Sequence, residues 1–139
     1  MRHIVLPALA FAFVLPLTVQ AQAEDEQPVW HIIHYQIPWS RVDSLETLFE
    51  TYSLPIAEEA KKMGNLLEYK WLIHTQGTEW NVVLMIKTRS WEAVQNPGIG
   101  EAYRTLYPDE ATREEINAGF NWAFGGNIHR DEFFREVGN

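Results

Sequence analysis

Histidine is the residue type in this sequence with the widest chemical use. Four histidines, His31, His34, His74 and His129, follow the apolar start of the chain. A neutral imidazole can act as a general base, a metal ligand or a haem ligand. His31 and His34 lie three positions apart in a segment rich in β-branched and aromatic residues, so a strand would direct them to opposite faces of a sheet. They therefore cannot share one site.

His34 and His74 are the candidate catalytic residues. His34 lies near the C-terminal end of the first predicted strand and His74 at the hairpin end of another, and the first and third strands are neighbours in a β-α-β-β-α-β fold. For each, the alternative is a histidine hydrogen-bonded at a sheet end or a dimer seam. No HxH or HxxxH pair supplies two metal ligands, so no metal site is predicted. Haem would suit a histidine ligand, but no motif indicates it, and the cofactor is left open.

Aromatic and polar side chains supply the candidates for ligand binding. Trp39 and Arg41 follow a proline where a strand turns into a helix, and an arginine there can bind a carboxylate or a phenolate. The remaining candidates are Tyr35, Trp71, Asn81, Asn121 and Trp122. Several have simpler explanations, because Trp71 and Trp80 suit a protein core, and Arg41 and Asn121 suit a solvated surface.

Residues 1–23 have the layout of a secretory signal peptide. Arg2 and His3 precede an apolar run, and residues 21–23, AQA, have the A-x-A form of a cleavage site before the acidic residues 24–26. A membrane anchor is less favoured, because the run is short, contains two prolines and lacks a basic stop. We therefore expect an exported protein, periplasmic or extracellular, that is not membrane-bound after cleavage.

The remaining chain is acidic and about the size of one domain. Removal of the signal peptide takes away Arg2 and leaves 10 basic against 19 acidic residues. This charge disfavours nucleic acid and anionic lipid as partners. An exported chain without cysteine depends on packing or oligomerisation for stability. Residues 24–28 form an acidic lead, and residues 29–139 form the single predicted domain.

Hydrophobic periodicity predicts the order β-α-β-β-α-β. A strand over residues 29–37 precedes a helix that Ser40 caps and that Pro55 kinks near Tyr52. Residues 66–88 form a hairpin around Gln76-Gly77, which would pair Ile73 with Trp80 and Trp71 with Val82. Later elements are a helix that starts at Asp109 or Thr112 and a last strand over residues 128–137.

The two faces of the hairpin differ in polarity. One is apolar throughout and should lie under the helices; it carries Leu67, Tyr69, Trp71, Ile73, Trp80, Val82, Leu84 and Ile86. The other has Leu72, Val83 and Met85 at its centre and is too apolar to face water, so we expect a second copy of the chain to cover it. In the first strand, Tyr35 shares the more apolar face with two isoleucines, which directs His31 and Tyr35 to the helices and His34 to the dimer.

This element order, with HYQIP leading directly into a helix and a long hairpin, resembles the dimeric α+β barrel superfamily, of the monooxygenase-like and stress-responsive type. The resemblance covers residues 29–137. It implies an α+β, ferredoxin-like fold with a four-stranded antiparallel sheet that pairs as a homodimeric barrel, and a ligand cleft between sheet and helices. Members include monooxygenases, haem-degrading oxygenases, isomerases and cyclases, so it does not imply one reaction.

Two functions remain open at this point. The first is an enzyme that binds a small hydrophobic or aromatic molecule and acts by oxygenation, isomerisation or proton transfer. The second is a non-catalytic binding or stress-related dimer whose cleft is filled by its own side chains. The chain has no GxGxxG, P-loop, HExxH or GxSxG motif, so the sequence leaves open whether it is an enzyme. We expect the cleft to open between Trp39 and the turn-rich segment NPGIG, residues 96–100.

The exported protein should begin at Glu24, because the small residues of the AQA site are those a signal peptidase accepts. Intact-mass measurement of the exported protein tests this. A mass that retains residues 1–23 would contradict the prediction.

Overall fold

A computed structural model describes residues 27–74, 79–126 and 128–137. The predicted signal peptide and residues 24–26 of the acidic lead lie outside the described residues. In the part that is described, no helix is long and apolar enough to cross a membrane.

The described elements form a four-stranded antiparallel sheet with helices packed on one face. The strands are β1 Val29–Gln36, β2 Leu66–Ile73, β3 Val82–Thr88 and β4 Ile128–Arg135, in the spatial order β2-β3-β1-β4. The α-helices are α1 Val42–Leu48, α2 Leu54–Lys62, α3 Trp91–Gln95, α4 Ile99–Leu106 and α5 Glu110–Phe124. The predicted fold class is confirmed, with β1 hydrogen-bonded between β3 and β4.

The first helical segment begins and bends differently from the prediction. Ser40 is not its N-cap: a 3₁₀ turn over Trp39–Arg41 follows Pro38, and α1 starts only after it. The predicted break near Tyr52 is present as a π-helical turn, Phe49–Ser53, that joins α1 to α2. Pro55 has no N–H and its ring crowds the carbonyl four residues earlier, so a wider turn at this point relieves the conflict.

The second long helix, α5, begins at Asp109, one of the two predicted starts. The Asp109 carboxylate accepts hydrogen bonds from the backbone N–H and the hydroxyl of Thr112, both at 2.8 Å. These hydrogen bonds lower the pKa of the Asp109 carboxyl below its usual value, and the bond from the Thr112 backbone N–H has the larger effect. Further along α5, a Cβ at Gly119 would lie 3.2 Å from Leu48 Cδ2, so glycine allows α5 to pack closely on α1.

The hairpin strands pair differently from the prediction, and the predicted turn residues Gln76 and Gly77 lie outside the described residues. β2 ends at Ile73 and β3 begins at Val82, while the backbone N–H of His74 donates to the Asn81 carbonyl at 2.9 Å. Ile73 therefore pairs with Val82 and Trp71 with Leu84. The predicted register was wrong by two residues. Because side chains alternate between the faces with a period of two, a shift of two leaves each side chain on its predicted face.

Two side chains of the hairpin leave the predicted apolar face. A bulge between Leu66 and Glu68 buries Leu66 and exposes Leu67. Trp80 precedes β3 and its ring lies 5.9 Å from the ring of His34, outside the core cluster. Both departures come from irregular backbone at the ends of strands, where a strict alternation does not hold.

The core lies between the sheet and the helices. Its most buried large side chains include Leu45 and Phe49 from the helical layer and Val82 and Leu84 from β3. Tyr35, Tyr69 and Trp71 pack against this cluster from the sheet. Apart from Leu67 beside the bulge, the odd-numbered residues of β1 and β2 and the even-numbered residues of β3 therefore face the helices, as predicted.

The opposite face of the sheet carries an apolar centre with ionisable side chains around it. Leu72, Val83 and Met85 occupy the centre, and Leu72 is 50% exposed. At the β1 N-terminal end, the Trp30 ring lies beneath the ammonium groups of Lys70 and Lys87, 5.4 and 5.3 Å from its centroid. We call this face the open face.

Val83→Asp should convert the chain to monomer or aggregate, because the expected dimer would bury Leu72, Val83 and Met85. Burial of the three contributes on the order of 5 kcal/mol before entropic costs. Sedimentation of wild type and variant tests this, with Val137→Asp as the control, since Val137 is 96% exposed. Wild-type protein that sediments as a monomer at micromolar concentration would contradict the expected assembly.

Candidate functional site

The helix-covered face of the sheet is built from rows of cross-strand neighbours. From β2 to β4, the rows are Tyr69-Ile86-His31-Phe133, Trp71-Leu84-Ile33-Asp131 and Ile73-Val82-Tyr35-His129. The β2 and β3 ends of these rows are aromatic or aliphatic, and the ionisable groups collect on β1 and β4. One face thus offers an apolar half and a polar half.

Stacked rings form the apolar half. Phe49 stacks on Trp71 with ring centroids 3.5 Å apart and planes within 17°. Phe49 also meets the edge of Phe124 at 6.3 Å, and Phe124 lies 4.7 Å from Tyr35. With Phe120, 5.7 Å from Phe49, these residues form what we call the aromatic wall, which runs from β2 to β1 beneath the π-helical turn and α5.

Trp71 carries the one polar atom of the aromatic wall that is both buried and unpaired within the described residues. Its indole Nε1 has no hydrogen-bond partner there. A buried tryptophan N–H normally finds a partner, because leaving it unpaired costs about 1–3 kcal/mol. The wall therefore contains a donor suited to an acceptor oxygen on an aromatic ligand.

Two tyrosines on this face stay protonated at neutral pH. Burial raises the pKa of the Tyr69 hydroxyl to about 12. Burial, and then the charge of Asp131, raises the pKa of the Tyr35 hydroxyl. Both side chains are therefore neutral phenols that can donate a hydrogen bond, and neither is a ready nucleophile.

Four residues make up the polar half, which we call the polar cluster: His31, Tyr35, His129 and Asp131. Asp131 Oδ1 lies 2.7 Å from His31 Nε2, and Asp131 Oδ2 lies 3.5 Å from His129 Nε2. The rings of Tyr35 and His129 are 6.0 Å apart. Phe133 stacks on the His31 ring at 4.4 Å and 20°, which fixes the plane of the imidazole.

The sequence analysis missed Asp131 and His129 as site residues. Their alternation with Phe133 in NIHRDEFF is a signal that the three share one strand face. The register of β4 on β1 decides which face that is and which β1 residue each one meets, and the sequence alone does not supply that register.

The two predicted catalytic histidines are not brought together. His34 lies on the open face, where its Nε2 is 3.1 Å from Glu132 Oε2. His74 follows the end of β2, and β3 lies between β2 and β1. Two strand spacings, about 10 Å, separate the strands that carry them. A direct proton relay between His34 and His74 is therefore excluded by the sheet order.

Asn81 and Arg41, two predicted ligand-binding residues, hold the backbone in place. The buried Asn81 amide accepts from the Ile37 N–H at 2.9 Å and donates to the Ile37 carbonyl at 2.7 Å. Arg41 Nη1 donates to the carbonyls of Trp122 and Gly125 at 2.7 and 3.0 Å, and its guanidinium lies 5.1 Å from the Trp122 ring centroid. These bonds satisfy carbonyls at the C-terminal end of α5.

The other predicted binding residues divide between the wall and the surface. Tyr35 and Trp71 belong to the aromatic wall, whereas Trp39, Asn121 and Trp122 are exposed. The expected opening between Trp39 and residues 96–100 is wrong. Asn96 accepts a hydrogen bond from Asn65 just before β2, at the sheet end where β1 begins, and Trp39 follows the other end of β1. Trp39 and residues 96–100 therefore lie at opposite ends of the sheet, and the strand pairing that places them there is not evident from the composition of the loops.

No metal-binding arrangement occurs among residues 27–74, 79–126 and 128–137: no three histidine or carboxylate side chains there are grouped to hold an ion.

Comparison with known proteins identifies the fold. No protein-family model and no curated protein matches the sequence. Solved structures do match. One is a protein from Caulobacter crescentus proposed to be an antibiotic biosynthesis monooxygenase, with a TM-score of 0.56, 12% identity, and coverage of 84% of this chain and 96% of that one. The chain shares the ferredoxin-like α+β fold of this structure, with a four-stranded antiparallel sheet.

Two further solved structures support the same fold. A conserved protein from Methanosarcina mazei matches with a TM-score of 0.54 at 9% identity, over 84% of this chain and 99% of that one. A NIPSNAP family protein from Agrobacterium tumefaciens matches with a TM-score of 0.52 at 15% identity, over 81% and 88%. Identities this low establish a shared fold and leave the activity to be argued from the site.

Asn81→Ala should lower the free energy of unfolding by about 2–3 kcal/mol, because it leaves the N–H and carbonyl of Ile37 without their side-chain partner. Urea denaturation measures the change. Asn121→Ala removes the same amide from an exposed position and should change stability by less than about 0.5 kcal/mol. Equal effects of the two substitutions would show that the Asn81 bonds are not structural.

Proposed function

We propose that the protein is an exported homodimer that binds a small hydrophobic or aromatic molecule between the helices and the sheet, and acts on it as an oxygenase, isomerase or proton-transfer enzyme. The observation that carries the proposal is the buried Trp71 N–H, which is unpaired among the described residues and lies within the aromatic wall.

Ring stacking and a single directed donor together select a ligand class. An aromatic ligand gains from contact with the rings of the wall, and such pairs contribute about 0.5–1.5 kcal/mol beyond area burial. A carbonyl or hydroxyl oxygen on that ligand would accept from Trp71 Nε1 and remove the penalty of the unpaired donor. A purely aliphatic ligand would gain neither interaction.

Oxygenation is supported by analogy with a protein of similar fold. The Caulobacter crescentus protein is proposed to be a monooxygenase, and it shares this fold over most of both chains. Proton transfer is supported by the polar cluster on the same sheet face, where His31 and His129 flank one carboxylate. Oxygenation and proton transfer are thus each supported by a separate observation.

Export and dimerisation complete the proposal. Export is supported by the A-x-A site and the apolar run before it. Dimerisation is supported by the open face, whose centre of Leu72, Val83 and Met85 would otherwise face water. A second chain on that face leaves the helix-covered face free for the ligand.

A non-catalytic dimer is the second candidate. The tight stack of Phe49 on Trp71 fills the space next to the indole with a side chain of the protein itself. In that case the aromatic wall is only core, and the unpaired N–H is a cost that the fold tolerates.

Binding of two matched bicyclic compounds separates the candidates. α-Tetralone has a carbonyl acceptor, and tetralin has the same ring skeleton without it. We expect calorimetry to show binding of both, and Trp71→Phe to weaken α-tetralone about fivefold while leaving tetralin unchanged, because a net hydrogen bond is worth about 1 kcal/mol.

Trp30→Phe is the control for this experiment. It also removes an indole N–H, but one on the open face that donates to Glu136 at 2.9 Å. It should leave both affinities unchanged. If neither compound binds wild-type protein, the self-filled cleft is the better description.

A further inference from the structure

We infer that His31 and Asp131 form a proton-accepting site for a small phenol, located where β4 meets β1 on the helix-covered face. This inference rests on the proposed function and deepens it, since it names the acid–base groups and the class of substrate. Asp131 lies three strand spacings from Trp71 in the same row, about 14 Å, so the site is at the β4 side of the proposed ligand space.

The geometry of the pair fits an oriented general base. Asp131 Oδ1 is 2.7 Å from His31 Nε2, so the carboxylate accepts the Nε2–H and leaves the lone pair on Nδ1. Phe133 stacks on the imidazole and holds its plane. A carboxylate behind an imidazole fixes the tautomer and stabilises the imidazolium that forms when the ring takes a proton.

Access distinguishes this pair from a buried structural one. The side chains of His31 and Asp131 are 21% and 40% exposed, so both are in contact with solvent. Phe133 and Trp91 are also exposed, and their rings meet at 5.2 Å with a 71° interplanar angle beside the histidine. An aromatic ring is the ligand shape that such exposed rings bind best.

The neighbouring groups on this face assign different parts to Tyr35 and His31. His129 Nε2 lies 3.5 Å from Asp131 Oδ2, so both oxygens of this carboxylate have an imidazole nearby. The Tyr35 hydroxyl stays protonated, since burial and the Asp131 charge raise its pKa. Tyr35 can therefore donate a hydrogen bond, while His31 is the group with a lone pair to accept a proton.

The proposed step is a single proton transfer. The O–H bond of the bound phenol breaks, its electron pair stays on oxygen as the phenolate, and an N–H bond forms at His31 Nδ1. The positive imidazolium lies between the phenolate and the Asp131 carboxylate. His31 is the catalytic residue of this step, and Asp131 is a positioning residue that acts through it.

para-Nitrophenol is a suitable probe, because its absorbance reports whether it is phenol or phenolate. At about one pH unit below its own pKa, only about a tenth of the free probe is ionised. We expect wild-type protein to bind the probe as phenolate under these conditions, and Asp131→Asn and His31→Gln each to reduce the bound phenolate about tenfold, the loss of one charge-assisted interaction. Thermal melting confirms that each variant is folded.

Glu132→Gln is the matched control. It neutralises the adjacent carboxylate of β4, which pairs with His34 on the open face, and should leave the probe spectrum unchanged. A probe that binds as neutral phenol, does not bind, or is ionised equally well by folded Asp131→Asn protein would overturn the inference. α-Tetralone has no acidic hydroxyl, so its binding reports the proposed ligand space separately from proton transfer.

Discussion

Strand β1 is hydrogen-bonded on both sides, to β3 and to β4, and its successive side chains must leave the sheet on opposite faces. This constraint determines on which face of the sheet each candidate side chain of β1 lies. His31 and Tyr35 face the helices, and His34 faces the opposite way. Each histidine meets a different carboxylate of β4: Asp131 on the helix-covered face and Glu132 on the open face. Among the described residues, β1 and β4 thus share two cross-strand histidine–carboxylate pairs, one on each face of the sheet.

The end of β1 shows how few polar bonds hold the site in position. Asn81 binds both backbone groups of Ile37, and Arg41 ties the following turn to the end of α5. Between these two anchors the chain turns from the sheet into the helical layer. Phe124, near the end of α5, is thereby placed against Tyr35. Two residues that looked like ligand contacts in the sequence therefore build the frame behind the aromatic wall.

Sequence reasoning gave the element order, the helix-covered face and the side of the sheet to which Tyr35 and His34 belong, because these depend on periodicity alone. It failed where geometry depends on pairing between distant segments. The predicted hairpin register was wrong. Gln76-Gly77 has the composition of a two-residue turn, but β2 ends at Ile73 and β3 begins only at Val82, so Ile73 pairs with Val82 and not with Trp80. Asp131 was missed for the same reason: the β1–β4 register that places it beside His31 is a contact between residues 100 positions apart.

β4 is an edge strand, and nearly all its side chains are exposed. An unpaired strand edge is a template on which further chains can add, and proteins protect such edges with charged side chains. Arg130, Asp131, Glu132 and Arg135 supply those charges on β4. The carboxylates that meet the two histidines thus also discourage aggregation at this edge. An edge strand with little buried surface is also among the first parts of a fold to open, so both histidine–carboxylate pairs depend on the least protected strand of the sheet.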